Sequence, residues 1–138
     1  MKGFLLDTNI LSEPRRPRPD PRAIAWLEHV PPSEAFISVI SIGEIHRGIA
    51  NVRPTNAAKA EQLDLWIKGV ETWTERILPV SLMVATVWGH LRNAHRNCDP
   101  VDALIAATAQ AHGLTIATRN VRDFQAFGIP LLNPFEAP

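Results

Sequence analysis

Short apolar runs alternate along this chain with longer stretches in which apolar residues recur at helical spacing. Gly3-Phe4-Leu5-Leu6, Ala35-Phe36-Ile37, Ile77-Leu78-Pro79-Val80, Leu114–Ala117 and Ile129–Leu132 read as short strands. Asn9 to Glu13 reads as a brief helix stopped by Pro14, and Arg15 to Arg22, with Pro17, Pro19 and Pro21, as an extended connector. Asp20-Pro21 supplies an N-cap and a first-turn proline, and Ile24, Leu27 and Val30 form a helical stripe that ends at Pro31-Pro32. Ser38 to Ala50 is a helix opened by Ser38 or Ser41. Thr55 to Glu75 is a longer one, with Leu63, Trp66, Ile67 and Val70 on one stripe. Ser81 caps a helix through Leu91, and Asp99-Pro100 opens another that runs to His112 and ends at Gly113. A short helix near Asp123 leads to Gly128. Strands and helices in alternation predict an α/β fold: a central, mainly parallel sheet flanked by helices in three layers, as one domain over residues 1–138.

Composition narrows the class. A chain of 138 residues buries roughly two thirds of its unfolded surface, and 46% hydrophobic content supplies a core. No apolar run approaches the roughly 20 residues that span a bilayer. Met1-Lys2-Gly3 leads straight into the first strand, without the separate basic and apolar regions of a signal peptide. The one cysteine, Cys98, rules out an internal disulfide and fits a reducing cytosol. Five histidines lack zinc-ligand spacing. The expectation is a cytoplasmic domain with no membrane segment.

Charge is informative by position rather than by sum, since the formal net charge is zero. Asp7 ends the first strand, Glu44 follows the second by a few residues, and Asp102 lies in the first turn after Asp99-Pro100. Asp123 follows the Leu114–Ala117 strand. In a parallel sheet the residues just beyond the carboxyl ends of the strands converge on one edge, where such folds bind ligands. Each acid alone has an ordinary explanation. Asp7 and Asp123 can cap short helices, Glu44 can favour a helix dipole, and Asp102 can complete a capping box with Asp99. Capping does not explain an acid at nearly every junction on one edge. Two unit charges about 4 Å apart repel by roughly 4 kcal/mol at an effective dielectric near 20, so a gathered cluster calls for a divalent cation. Arg15 and Arg16, with Arg18 and Arg22, crowd the proline-rich loop, and Arg92, His95 and Arg96 precede Asp102. These groups are either solvated surface charge or contacts to phosphate beside the acids.

Four segments together carry a family resemblance: Asp7-Thr8-Asn9 after an apolar strand, Ser38–Gly48 (SVISIGEIHRG), Asp102–Ala109 (DALIAATA) and Ala117–Phe124 (ATRNVRDF). In this order, over almost the whole chain, they resemble the PIN-domain ribonucleases, specifically the VapC toxins of toxin–antitoxin pairs. Asp7–Pro14 (DTNILSEP) and Asn133-Pro134-Phe135 look most like the FitB-type branch. The resemblance implies Mg²⁺- or Mn²⁺-dependent endonucleolytic cleavage of RNA, tRNA or ribosomal RNA, by metal-activated water. Asp7 and Asp102 would be the principal metal ligands and Glu44 the third acid. Asn120 stands where some relatives carry aspartate, and Asp123 lies a turn further on, either a ligand itself or a support for one. Thr8, Asn9 and Thr118 would orient carboxylates or water.

The resemblance also implies a small antitoxin whose C-terminal segment covers the acidic groove, a homodimer, and a hetero-oligomer of the two proteins. Trp66, Ile67, Val70, Trp73 and Trp88 supply apolar surface either for that dimer or for the core. The alternative function is a catalytically silent PIN-like domain that binds RNA or a protein partner, which the missing fourth acid would suit. Against it, carboxylates repel phosphate unless a cation bridges them. A small-molecule phosphohydrolase of the dehalogenase type would carry a second aspartate where this chain has Asn9.

Overall fold

The apolar runs become five strands, β1 (Phe4–Leu6), β2 (Ala35–Ser38), β3 (Ile77–Leu78), β4 (Thr115–Ala117) and β5 (Leu131–Leu132). In the computed structural model, which describes residues 3–136, they are ordered β3-β2-β1-β4-β5 and every pairing is parallel. Six α-helices connect or flank them: α1 (Thr8–Leu11), α2 (Pro21–His29), α3 (Val39–Val52), α4 (Ala57–Glu71), α5 (Leu82–Ala94) and α6 (Pro100–His112).

The strands are apolar on both sides because both sides are covered. Successive side chains alternate across a strand, so Leu5, Phe36 and Ile116 face one layer, while Leu6, Ile37 and Ala117 face the other. The first layer is α5 and α6, contributing Val84, Leu91 and the buried alanines of α6. The second is α3 and α4, with Ile45, Ile49, Ile67 and Val70. The small residues Ala103, Ala106 and Ala107 on α6 let that helix sit close on the sheet.

Six helix starts are capped as their residue types direct. Asp7, Asp20, Ser38, Asn56, Ser81 and Asp99 each accept a backbone N–H from the turn that follows. Gly113 closes α6 in the left-handed region at φ 66°. Gly3 is needed for a different reason: its φ is 146°, and a Cβ there would meet the Glu34 carbonyl oxygen at 2.5 Å.

Four readings are corrected. Pro14 does not end a helix but is the second residue of a 3-10 turn, Glu13–Arg15, after α1 has closed at Leu11. The connector that follows is therefore not wholly extended. The long helix expected over Thr55–Glu75 is Ala57–Glu71, because the Asn56 cap and the Thr74–Arg76 3-10 turn cut both ends. β3 stops before Pro79, which has no N–H for the ladder. The helix expected near Asp123 is a pair of 3-10 turns, Val121–Asp123 and Gln125–Phe127. Among the described residues no helix is long and apolar enough to cross a membrane.

Candidate active site

Parallel register brings the β1 and β4 ends side by side, pairing Leu6 with Ala117. The next residues, Asp7 and Thr118, therefore face each other although they stand far apart in the chain. The Asp7 amide donates to the Ala117 carbonyl at 2.9 Å, and the Thr118 hydroxyl donates to Asp7 Oδ2 at 2.8 Å. Asp7 Oδ1 accepts from the Thr8 amide at 2.9 Å, and the Asn9 amide group reaches Oδ2 at 3.3 Å. Asp7 thus caps α1 and faces the crevice at once. Its neighbours are tied in as well: Arg119 N–H donates to Asn9 Oδ1 at 3.2 Å, and Asn120 N–H to Thr118 Oγ1 at 3.0 Å.

Glu44 arrives from the other side. It lies in the second turn of α3 rather than the first, beyond reach of the helix dipole's strongest field, and its Oε1 accepts from the Thr8 hydroxyl at 3.2 Å. Asp102 comes from the first turn of α6. Asp99 caps that helix, its Oδ1 accepting from the amides of Val101 at 2.8 Å and Asp102 at 3.1 Å. The Asp102 carboxylate does not return the bond, so the capping box is half made and its second acid is free for the crevice.

The acids share one cavity. Asp7, Thr8, Asn9, Ser12, Glu44, Asp102, Asn120 and Asp123 line a space of about 320 Å³ at the carboxyl edge of the sheet. Asn120 and Asp123 both reach it, so the Asn120 departure leaves four carboxylates at the rim. Thr118 stands behind Asp7, fully buried. Ser12 was not legible as a site residue; its hydroxyl donates to the Thr8 carbonyl at 2.7 Å, one turn along α1. Asp99 was legible only as a cap.

Of the four arginines expected near the acids, none lines this cavity. Arg15 lines a separate one with Asn56 and Lys59, and Arg16 lies 3.9 Å from Glu13. Arg92 donates to the Cys98 carbonyl at 3.2 Å and lies over the Trp88 ring, bracing the turn between α5 and α6. Arg96 is exposed in that turn.

Electrostatics marks the cavity as a site under strain. Partial burial and then the charges of Asp99, Asp123, Asp7 and Glu44 push the Asp102 carboxyl up to about 6. Burial also raises Asp7, against the hydrogen bonds from Thr118 and Thr8, and the Asp123 charge adds to the rise. Glu44 is raised by partial burial, then by Asp7 and Asp99, against the bond from Thr8 and the charge of Arg47. All the donors are oxygens, the set preferred by a hard cation. Among the described residues no three Asp, Glu, His or Cys side chains stand close enough to cage an ion alone. An all-oxygen set suits a hard divalent cation rather than the thiolate and imidazole donors of a structural zinc site.

Known proteins share this fold. A model of the PIN domain matches residues 4–129. Toxin FitB of Neisseria gonorrhoeae is 36% identical over 96% of this chain and 98% of its own. The crystal structure of FitAcB from that organism superposes with a TM-score of 0.90 at 33% identity, over 97% and 99% of the two chains. A VapC ribonuclease, Y4jK of Sinorhizobium fredii, is 30% identical over 96% of this chain and 98% of its own. A toxin–antitoxin complex from Klebsiella pneumoniae has a TM-score of 0.70 at 29% identity, over 98% and 99% of the chains. The chain belongs to the PIN-domain family, in its VapC/FitB toxin branch.

Proposed function

We propose that this protein is the endoribonuclease toxin of a type II toxin–antitoxin pair, hydrolysing RNA phosphodiesters with a Mg²⁺ or Mn²⁺ ion held by Asp7 and Asp102. The observation that carries this is the meeting of Asp7, Glu44, Asp102 and Asp123, from four separate elements, in one oxygen-lined cavity. When bound, the ion acidifies a water and offsets the charge that grows on the phosphate.

The chain's own residues do the positioning. Thr118 and the Thr8 amide fix both Asp7 oxygens before substrate arrives, and the Thr8 hydroxyl aims Glu44 at the same space. Asn9 links Asp7 to the Arg119 backbone, tying the β1 and β4 junctions together. Asp123 and Glu44 are the acids left to orient the attacking water or take its proton. A surface that only held RNA would gain nothing from four carboxylates facing phosphate.

A small antitoxin is the partner this reading assigns, its C-terminal segment covering the acid cavity. A guanidinium from that segment would satisfy two carboxylates bidentately and compete with the cation. The reading includes a toxin homodimer, a hetero-oligomer with the antitoxin and a cytoplasmic location. The substrate class is tRNA or ribosomal RNA. The test is incubation of labelled tRNA and ribosomal RNA with pure protein and Mn²⁺ or Mg²⁺. Discrete new fragments that vanish in excess EDTA are expected; intact RNA under every metal condition would overturn the assignment.

A further inference from the structure

The acid cavity is the middle of three. On the α3 side it shares Glu44 with a space of about 580 Å³ lined by Arg47, Gly48 and Asn51. On the β4 side it shares Asn120 and Asp123 with a space of about 540 Å³ lined by Arg119, Arg122, Gln125 and the Glu136 carboxylate. We propose that these flanking spaces are nucleotide subsites, and that a single strand of RNA runs from Arg47 across the acids to Arg119 and Arg122. The proposal rests on the ribonuclease reading of the central cavity.

Helical spacing builds the first subsite. Glu44, Arg47, Gly48 and Asn51 recur at three- and four-residue steps, so they lie on one face of α3. Gly48 has no side chain to fill that face, and a Cβ there would meet nothing within 4 Å. The second subsite follows from the turn after β4. Its polypeptide folds back through the Val121–Asp123 turn, which puts Arg119 and Arg122 on one wall with the Gln125 amide. Arg119 is steadied over the Phe135 ring at 4.7 Å.

Both ends carry cations without a carboxylate within 4.0 Å among the described residues: Arg47, Arg119 and Arg122 form no ion pair. Other arginines are committed, as Arg53 is to Asp64 at 2.6 Å. Free guanidinium groups at both ends of an acid centre suit a polyanion that must pass through it. The exposed amides of Asn51, Asn120 and Gln125 can pair with base edges, which single-stranded RNA presents and duplex RNA hides. Asn120 also matters by what it lacks. An aspartate there would put another negative charge on the wall between the acids and the second subsite.

The test uses the full chain and a fluorescein-labelled single-stranded RNA octamer, read by fluorescence anisotropy in Ca²⁺ with the octamer checked intact on a gel after each reading, so that binding is read apart from cutting. Arg47→Glu and Arg122→Glu should each weaken binding by about tenfold and lower the salt slope by about one unit. Lys68→Glu, the same charge change on an exposed face of α4 outside all three cavities, should leave it unchanged. Gly48→Met fills the first subsite from a helical position with open space, and should cost affinity without costing the fold. If Arg47→Glu, Arg122→Glu and Gly48→Met bind as Lys68→Glu does, the proposal is overturned. Should wild-type protein bind the octamer in this pattern yet cut no RNA in any metal, the subsites stand and the nuclease assignment falls. Should it cut RNA while the three variants match the control, the reverse holds.

Discussion

Glu13 and the rim acids place carboxylates in the same half of the molecule under opposite terms. Glu13 is 3% exposed, more deeply buried than any acid at the rim. Its Oε2 accepts from the Asp20 amide at 2.7 Å, and Arg16 stands 3.9 Å from Oε1. The charge is answered within the fold, and the proline-rich loop is pinned by it. Asp102 is half-buried, receives no hydrogen bond on its carboxylate from the described residues, and faces four other acids. Burial does not distinguish a functional acid from a structural one here. The neighbouring charge does: Arg16 stands beside Glu13, whereas the rim acids face one another. Glu13 belongs to folding, and the rim acids wait for something the chain does not supply.

The sharpest way to break that contrast is to remove charge at the rim. Asp7→Asn or Asp102→Asn should lower RNA cleavage by on the order of 10³-fold, measured by the rate of fragment appearance at saturating Mn²⁺. Circular dichroism should show both variants folded. Cutting at wild-type rate by either variant would mean that the cavity is not where the chemistry happens.

Next in size is the support behind Asp7. Thr118→Val keeps the volume but deletes the hydroxyl that holds Asp7 Oδ2 and accepts the Asn120 amide. Loss of a support one step behind a metal ligand typically costs 10- to 100-fold, so cation affinity and cleavage should fall together by about that much. A fall in cleavage at unchanged cation affinity would place Thr118 outside the metal's support.

Glu13→Ala should do the converse. It leaves the part-buried Asp20 amide without its acceptor and should cost about 1 kcal/mol of stability in urea unfolding. Cleavage per folded molecule should stay as in wild type. A loss of activity larger than the loss of folded protein would erase the distinction between the two regions.

How much of this was readable beforehand follows from which interactions are local. α6 was legible residue by residue, because Asp99, Pro100 and Gly113 are cap signals that act within one turn. Asp7, Glu44, Asp102 and Asp123 were legible as a set, because parallel order alone sends strand ends to one edge. Glu13's role was not legible: its partner amide comes from Asp20 across a loop whose prolines suggested only extension. Nor was Thr118's hold on Asp7 foreseeable in detail, since it depends on the Leu6–Ala117 register. The cations of the flanking cavities were missed for a related reason. Arginines were sought where they crowd in sequence, at Arg15–Arg22 and Arg92–Arg96, whereas Arg47, Arg119 and Arg122 stand among residues already assigned to other motifs.

The smallest effect is the most discriminating, because it reverses the usual sign of a mutation. The Asp102 carboxyl is raised to about 6 in the folded protein, above the ordinary carboxylate value near 4 that it keeps when unfolded. The folded state therefore binds its proton more tightly between these limits. The stability this lends is fully present below about pH 4 and is lost as pH rises through about 6. At pH 7.5, without added metal, the ionised Asp102 repels its neighbours and burdens the fold. Asp102→Asn removes that burden, so thermal unfolding in EDTA should show a higher Tm than wild type at pH 7.5 and nearly the same Tm at pH 4. Adding Mg²⁺ at pH 7.5 should raise the wild-type Tm and move the variant less, because the cation then answers the charge that the substitution deleted. A Tm for Asp102→Asn below wild type at pH 7.5 in EDTA would show that the carboxylate is already answered inside the fold, as Glu13 is.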